Sequence, residues 1–166
     1  SFGSEVVYES ASALRNVATF DSSNNKVVIA YRDAGNGGYG TAIVGTVSGT
    51  SISFGSAAVF VSASIDDLSI TFDTTNNKAV LCYRDEGTSP NYNGTAIVGT
   101  VSGTSISFGT AATFYSDHSP DHTSVAFNSE AGKCLVFFTA NNDQLAIEGT
   151  VSGTDISFGS VTTIQG

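Results

Sequence analysis

Apolar and polar residues follow two patterns along the chain, in short runs separated by Gly, Asn, Ser and Thr. Runs such as LSITF and TSVAF alternate, whereas KVVIAY and KAVLCY are almost wholly apolar. Alternation predicts a strand with one buried face, and a short continuous apolar run predicts a strand buried on both faces. The pattern therefore predicts an all-β fold of short strands joined by tight turns.

This pattern of strands occurs three times. The tripeptide SFG marks one recurring position, with its Phe at residues 2, 54, 108 and 158. Between these markers, segments of the types FDSSNNKVV and GTAIVGTVSGT recur in the same order in the first two copies and in altered form in the third. We divide the single domain, residues 1–166, into copy 1 (about 1–52), copy 2 (53–106), copy 3 (107–156) and an extra terminal strand (157–166).

Each copy contains four predicted antiparallel strands, which we name a, b, c and d in chain order. Asn-rich turns join a to b, because Asn tolerates left-handed backbone, and Ser-Gly-Thr turns join c to d. Four-stranded units that repeat every ~50 residues are typical of β-propeller blades. A β-trefoil or β-prism is the alternative, since three such units also close these folds. Both termini resemble strand d, which leaves one d in surplus.

Composition narrows the classes of partner. Six Lys and Arg against fifteen Asp and Glu leave a net charge of −9, which repels nucleic acid and anionic membranes. No apolar run approaches the ~20 residues that cross a bilayer. The start, SFGSEVVYES, has neither Met nor a signal-peptide pattern, so we expect a processed or excised piece. Cys82 and Cys134 occupy different positions in strand b and are expected to be buried and unpaired.

One hairpin carries a family resemblance. VSGTSISFGSAAVF resembles the Asp-box hairpin of sialidase-like propellers, with Ser48 at the first Ser of the motif and Ser53-Phe54 in place of its Thr-Trp. The Asp of the box is absent from all copies, so the resemblance implies the fold and not sialidase activity. The amino-acid sequence of the repeats is also similar to that of tandem repeats in secreted, phage and marine microbial surface proteins. That similarity implies extracellular recognition.

Candidate binding residues lie on one side of the predicted units, where the b–c and d–a loops vary in sequence while the opposite turns hardly change. Arg supplies a planar donor fork for sugar hydroxyls or a carboxylate, Asp an acceptor, and Tyr an apolar platform. Alternatively, the Arg and Asp pair neighbouring units. The predicted glycan-binding residues are Tyr31, Arg32, Asp33 and Tyr39 in copy 1, and Tyr83, Arg84, Asp85 and Tyr92 in copy 2.

A second loop, Asp117 to His122, is the alternative place for the site if replacing Arg32 and Arg84 changes neither binding nor stability. Its two Asp-His pairs favour a solvated loop over a metal site, because Pro120 interrupts them, and no cofactor motif is present. The chain's three Arg are spread over two copies, Arg15 and Arg32 in copy 1 and Arg84 in copy 2, so a sialidase-like hydrolase is disfavoured.

Multivalent, lectin-like binding outside the cell is the predicted function. An adhesive part of a larger fibre or virion protein, or a non-binding scaffold, is the alternative. Three blades would expose two apolar faces, so we expect a homodimer that completes a six-bladed ring.

Overall fold

The computed structural model describes residues 3–165, and the fold over this range is all-β. One short 3-10 turn, Ala34–Asn36, interrupts the strands, and no described helix is long and apolar enough to cross a membrane. The strands are β1 (Ala13–Asp21), β2 (Lys26–Asp33), β3 (Tyr39–Ser48), β4 (Ser51–Phe54), β5 (Ala58–Asp73), β6 (Lys78–Asp85), β7 (Gly94–Ser102), β8 (Ser105–Phe108), β9 (Ala112–Tyr115), β10 (Asp121–Asn128), β11 (Lys133–Ala140), β12 (Asp143–Ser152), β13 (Asp155–Phe158) and β14 (Thr162–Gln165).

The strands form three antiparallel units, each with the order a–b–c–d. Unit 1 contains β1, β2 and β3, with β4 and the start of β5 as strand d. Unit 2 runs from the rest of β5 through β9, and unit 3 from β10 to β14. Because β5 belongs to two units, the first two form one nine-stranded sheet beside a five-stranded one. Neither sheet closes into a barrel within residues 3–165.

Strand d is broken in every unit, which the sequence did not predict. Its first half pairs with the end of strand c, and its second half pairs with the start of the same strand, as Phe54 opposite Gly45 and Ala58 opposite Ala42 show. A short extended stretch that begins at Gly55, Gly109 or Gly159 separates the halves.

The predicted turns are confirmed by their backbone. Asn25, Asn77 and Gly132 occupy one position of the a–b turn with φ of 54°, 56° and 63°. A buried carboxylate supports the first of these turns, because Asp21 accepts hydrogen bonds from the backbone N–H groups of Ser23 and Asn24. These turns form a scaffold on the side opposite the variable loops.

Two hydrophobic cores lie between the units. The first core lies between unit 1 and unit 2. Val28 and Val44, on the face of unit 1 that is directed at unit 2, pack with Leu81 and Tyr83 of unit 2. The second joins the opposite face of unit 2 to unit 3. We call the face directed at the following unit the distal face and the other the proximal face. Strand b is buried on both faces in unit 2, as predicted.

Cys82 and Cys134 both lie in the second core as free, buried cysteines. Burial raises the pKa of the Cys134 thiol to about 12 and raises that of Cys82 still further. Both thiols therefore stay protonated and act as apolar packing groups.

Candidate functional site

Each strand a contains the same β-bulge near its start, on the side of the variable loops. The register shifts within β1, β5 and β10, and the central residue of the bulge has positive φ: Arg15 at 54°, Asp67 at 48° and His122 at 56°. Residues other than Gly adopt this backbone conformation at a cost in free energy, so the surrounding strands must impose it. The bulge re-aims three different side chains from one repeated position.

A network of charges surrounds Arg84 at these bulges. Its guanidinium lies 3.2 Å from Asp66, 2.8 Å from Asp67 and 3.5 Å from Glu86, and it also pairs with Asp121 of unit 3. Arg84 therefore ties unit 2 to unit 3.

Arg15 extends the network to unit 1 by pairing with Asp66. Four carboxylates then face two guanidinium groups, so the network is net negative. Burial alone would raise the pKa of Asp66, but hydrogen bonds from Arg15 and the Asp67 backbone lower it overall. Burial raises the pKa of Asp67 despite the attraction of Arg84.

The predicted residues of copy 1 do not gather at one surface. Tyr31 is fully buried and donates a hydrogen bond to Glu9, 3.2 Å away. Arg32 donates to the hydroxyl of Ser64 at 3.1 Å, and Ser64, at the junction of units 1 and 2, donates to Glu86 of unit 2 at 2.8 Å. Asp33 caps the short 3-10 turn. Only Tyr39 remains partly exposed without such a structural partner among the described contacts.

The copy 2 residues are dispersed in the same way. Tyr83 is fully buried against Phe60, with ring centroids 5.3 Å apart, and Asp85 accepts a hydrogen bond from the Gly87 backbone. Tyr92 is 37% exposed in the long b–c loop. Tyr31 and Tyr83 therefore cannot contact a surface ligand, and Arg32 and Arg84 link units, which agrees with the structural interpretation of these residues.

An open groove of about 440 Å³ lies between strand d of unit 2 and the start of strand c of unit 3. Tyr115 lies at the groove, partly exposed, and packs against Phe138 with a centroid distance of 4.9 Å. Burial, followed by the negative charges of Asp117 and Asp143, raises the pKa of the Tyr115 hydroxyl. The groove is lined by Thr113, Phe114, Tyr115, Ser116, Asp117, Asp143, Leu145, Val161 and Thr163.

Three side chains of this groove carry the candidate chemistry, Tyr115, Asp117 and Asp143. The sequence predicts only the loop that contains Asp117 and not Tyr115 or Asp143. The sequence carries a weak signal, because unit 2 has Tyr115 where unit 1 has Val61. The groove lies between two units, so the sequence pattern of a single copy does not predict it.

Metal binding finds no support in residues 3–165, where no three His, Cys, Asp or Glu side chains are grouped to hold an ion. His122 donates its backbone N–H to Asp67 at 3.2 Å, so the position serves the contact between units.

Comparisons with family models, with curated proteins and with solved structures find no match to this chain.

Proposed function

We propose that the chain is a non-catalytic, extracellular, carbohydrate-binding β-propeller module that holds glycans in the groove at Tyr115. The observation that supports this most is an aromatic ring flanked by two carboxylates, Asp117 and Asp143, in an open groove on the variable-loop side. This combination suits lectin-like recognition, since a ring can cover the apolar C–H face of a sugar and carboxylates accept hydrogen bonds from its hydroxyls.

Charge narrows the class of glycan. Asp117 and Asp143 are acidic, and the whole chain carries a net charge of −9. Sialylated or sulfated glycans would meet like charge there. The groove therefore suits a neutral sugar with adjacent free hydroxyls.

The propeller assignment is supported by how the units are built and stacked. Each unit is an antiparallel a–b–c–d series, and the distal face of one packs on the proximal face of the next. A trefoil requires strands that close a barrel, which the two open sheets do not do within the described range. Six such units, supplied by two chains, form the proposed ring.

A glycan array probed with the labelled chain tests the function. We expect binding to neutral glycans, and we expect Asp143→Asn and Tyr115→Ala to reduce it by at least tenfold. Tyr92→Ala is the matched control, because it removes an exposed Tyr that does not itself line the groove. Melting temperatures are measured for each variant, and Tyr115→Phe preserves the packing on Phe138.

Two results would overturn the proposal. The first is an array on which no neutral glycan is bound, which favours an adhesive or scaffold role. The second is undiminished binding by Asp143→Asn and Tyr115→Ala, which places the site elsewhere.

A further inference from the structure

One contact between units is repeated with little variation. Gly3, Gly55 and Gly109 each lie against the backbone carbonyl of a Thr in the c–d turn of the following unit, so closely that a Cβ would clash. The three Thr are Thr50, Thr104 and Thr154. Gly159 is the fourth member of the series, and a Cβ there would meet only the Glu148 carbonyl at 3.9 Å.

An aromatic contact follows the same rule. Phe60 packs on Tyr83 and Phe108 of unit 2 at 5.3 and 5.5 Å, and Phe114 packs on unit 3 with similar distances. Tyr8 makes the equivalent contacts with Tyr31 and Phe54 of unit 1, at 5.4 and 5.8 Å. The N-terminal segment, residues 3–12, therefore packs on unit 1 as a strand d packs on the unit that follows it.

Unlike a strand d, this N-terminal segment has no strand c of its own unit with which to form hydrogen bonds among the described residues. Gly55 and Gly109 donate their N–H to strand c of their own unit, at 2.9 and 3.0 Å. Residues 3–12 are assigned to no strand, and Val7 is 73% exposed. An extended segment with free edges and β-branched side chains is a template for pairing with a strand c.

The matching strand c lies at the other end of the chain. The distal face of unit 3 leaves Phe137 39% exposed. The same face has a groove of about 320 Å³, which Leu135, Ala146 and Glu148 help to line. Its strand c, β12, is paired with β14 at three positions, as β7 is with β9 in unit 2, but all four residues of β14 are exposed. Unit 3 thus has a strand d that no following unit covers among the described residues.

We propose that two copies of the chain associate by strand exchange, in which the N-terminal segment of one copy replaces β14 beside β12 of the other. Replacement is required because Gly3 already fills the place at Thr50 that Gly159 of the second copy would need. By the alignment of Gly3 with Gly159, Val6 takes the position of Thr162 opposite Ala146, and Val7 that of Thr163 opposite Leu145.

Reciprocal exchange closes the assembly. Unit 3 of each copy docks on unit 1 of the other, which continues the two existing interfaces and forms a ring of six units. A C2 dimer uses both surfaces of both chains and leaves none for further growth.

Disulfide trapping tests the exchange. Directly opposed strand residues can be bridged by cysteines, so Val6→Cys with Ala146→Cys should form a covalent dimer under mild oxidation on a non-reducing gel. Val7→Cys with Ala146→Cys is the matched control, because Val7 is one residue out of register and faces the other side. The unmodified chain, whose two cysteines are buried, should remain monomeric on that gel.

A second pair makes the outcome decisive. Thr162→Cys with Ala146→Cys should lock β14 inside its own chain and convert the protein to monomers in solution. A monomeric gel band for Val6→Cys with Ala146→Cys, or equal yields from both Val pairs, would overturn the proposal. Neither readout involves glycan, so the result is independent of the proposed binding function.

Discussion

The distal faces of units 2 and 3 share one backbone and differ in their neighbours. In unit 2, Val80, Cys82 and Val98 are fully buried beneath unit 3. The same positions in unit 3 are Leu135, Phe137 and Glu148, which are partly buried or exposed. The two units thus share the same strands and turns. The side chains on their distal faces differ according to whether another unit covers that face.

The comparison also shows where a charge is tolerated. Val98 has no accessible surface, and an ionised carboxylate there would lose its hydration without a partner. Glu148 sits at the equivalent position in contact with water. Its charge makes the distal face of unit 3 less apolar than the distal face of unit 2.

Placing each of these two residues at the other's position should give the largest difference in stability between the two faces. We expect Val98→Glu to cost at least about 3 kcal/mol of unfolding free energy, since it buries an unpaired charge. Glu148→Val should stay within about 0.5 kcal/mol for the monomer and strengthen self-association. Urea denaturation of both variants measures the difference, and equal losses would contradict a buried interface between units 2 and 3.

The glycines give a second, smaller contrast. Gly55→Ala should destabilise the chain by about 1–3 kcal/mol, because its methyl group meets the Thr104 carbonyl of unit 2. Gly159→Ala brings the methyl group only to an ordinary van der Waals distance, 3.9 Å, from the Glu148 carbonyl and should cost less than about 0.5 kcal/mol. Thermal melts of the pair provide the test. A destabilising Gly159→Ala would mean that a further contact already covers unit 3 in the isolated chain.

Arginine replacements sharpen the contrast between buried and exposed charges at the bulges. The Arg84 side chain is 15% exposed and pairs with carboxylates of two units, so Arg84→Ala should cost about 1–3 kcal/mol. The Arg15 side chain is 57% exposed, and Arg15→Ala should cost less than about 1 kcal/mol. Chemical denaturation and glycan binding are measured together. Lost binding with unchanged stability in Arg84→Ala would restore the site first predicted from the sequence.

The a–b turns provide the smallest expected effect, in pH dependence. Burial raises the pKa of Asp21, but hydrogen bonds from Ser23 and Asn24 outweigh it and lower the pKa below its ordinary value of 3.8. The stabilisation by Asp21 is therefore present above the unfolded pKa and is lost as pH falls through the folded one.

Asn128 holds the equivalent position in unit 3 and does not titrate. Asp21→Asn should consequently flatten the fall in stability between about pH 5 and pH 3, and Asn128→Asp should steepen it. Melting temperatures across that range check both signs. An unchanged pH profile in both variants would show that a carboxylate in this turn does not contribute to the pH dependence of stability.

Local pattern was enough to predict the strands, their order and the turns. The apolar run around Leu81 and the Asn-Asn turns follow from periodicity and backbone preference, which act over a few residues. The candidate site was not predictable in this way. Tyr83 belongs to the apolar run KAVLCY, which already predicts its burial, although it stands next to the loop-side residues Arg84 and Asp85. Tyr115 and Asp143 meet only when unit 3 packs on unit 2. Such contacts depend on the stacking of units, which no single copy encodes.

Light scattering of the unmodified chain over a range of concentrations tests the uncovered face of unit 3 most directly. The exchange of N-terminal segments predicts a particle of twice the 17.0 kDa chain mass, and it predicts that locking β14 with Thr162→Cys and Ala146→Cys returns the mass to one chain. A particle of 17.0 kDa at all concentrations would contradict the account, as would a dimer that persists when β14 is locked.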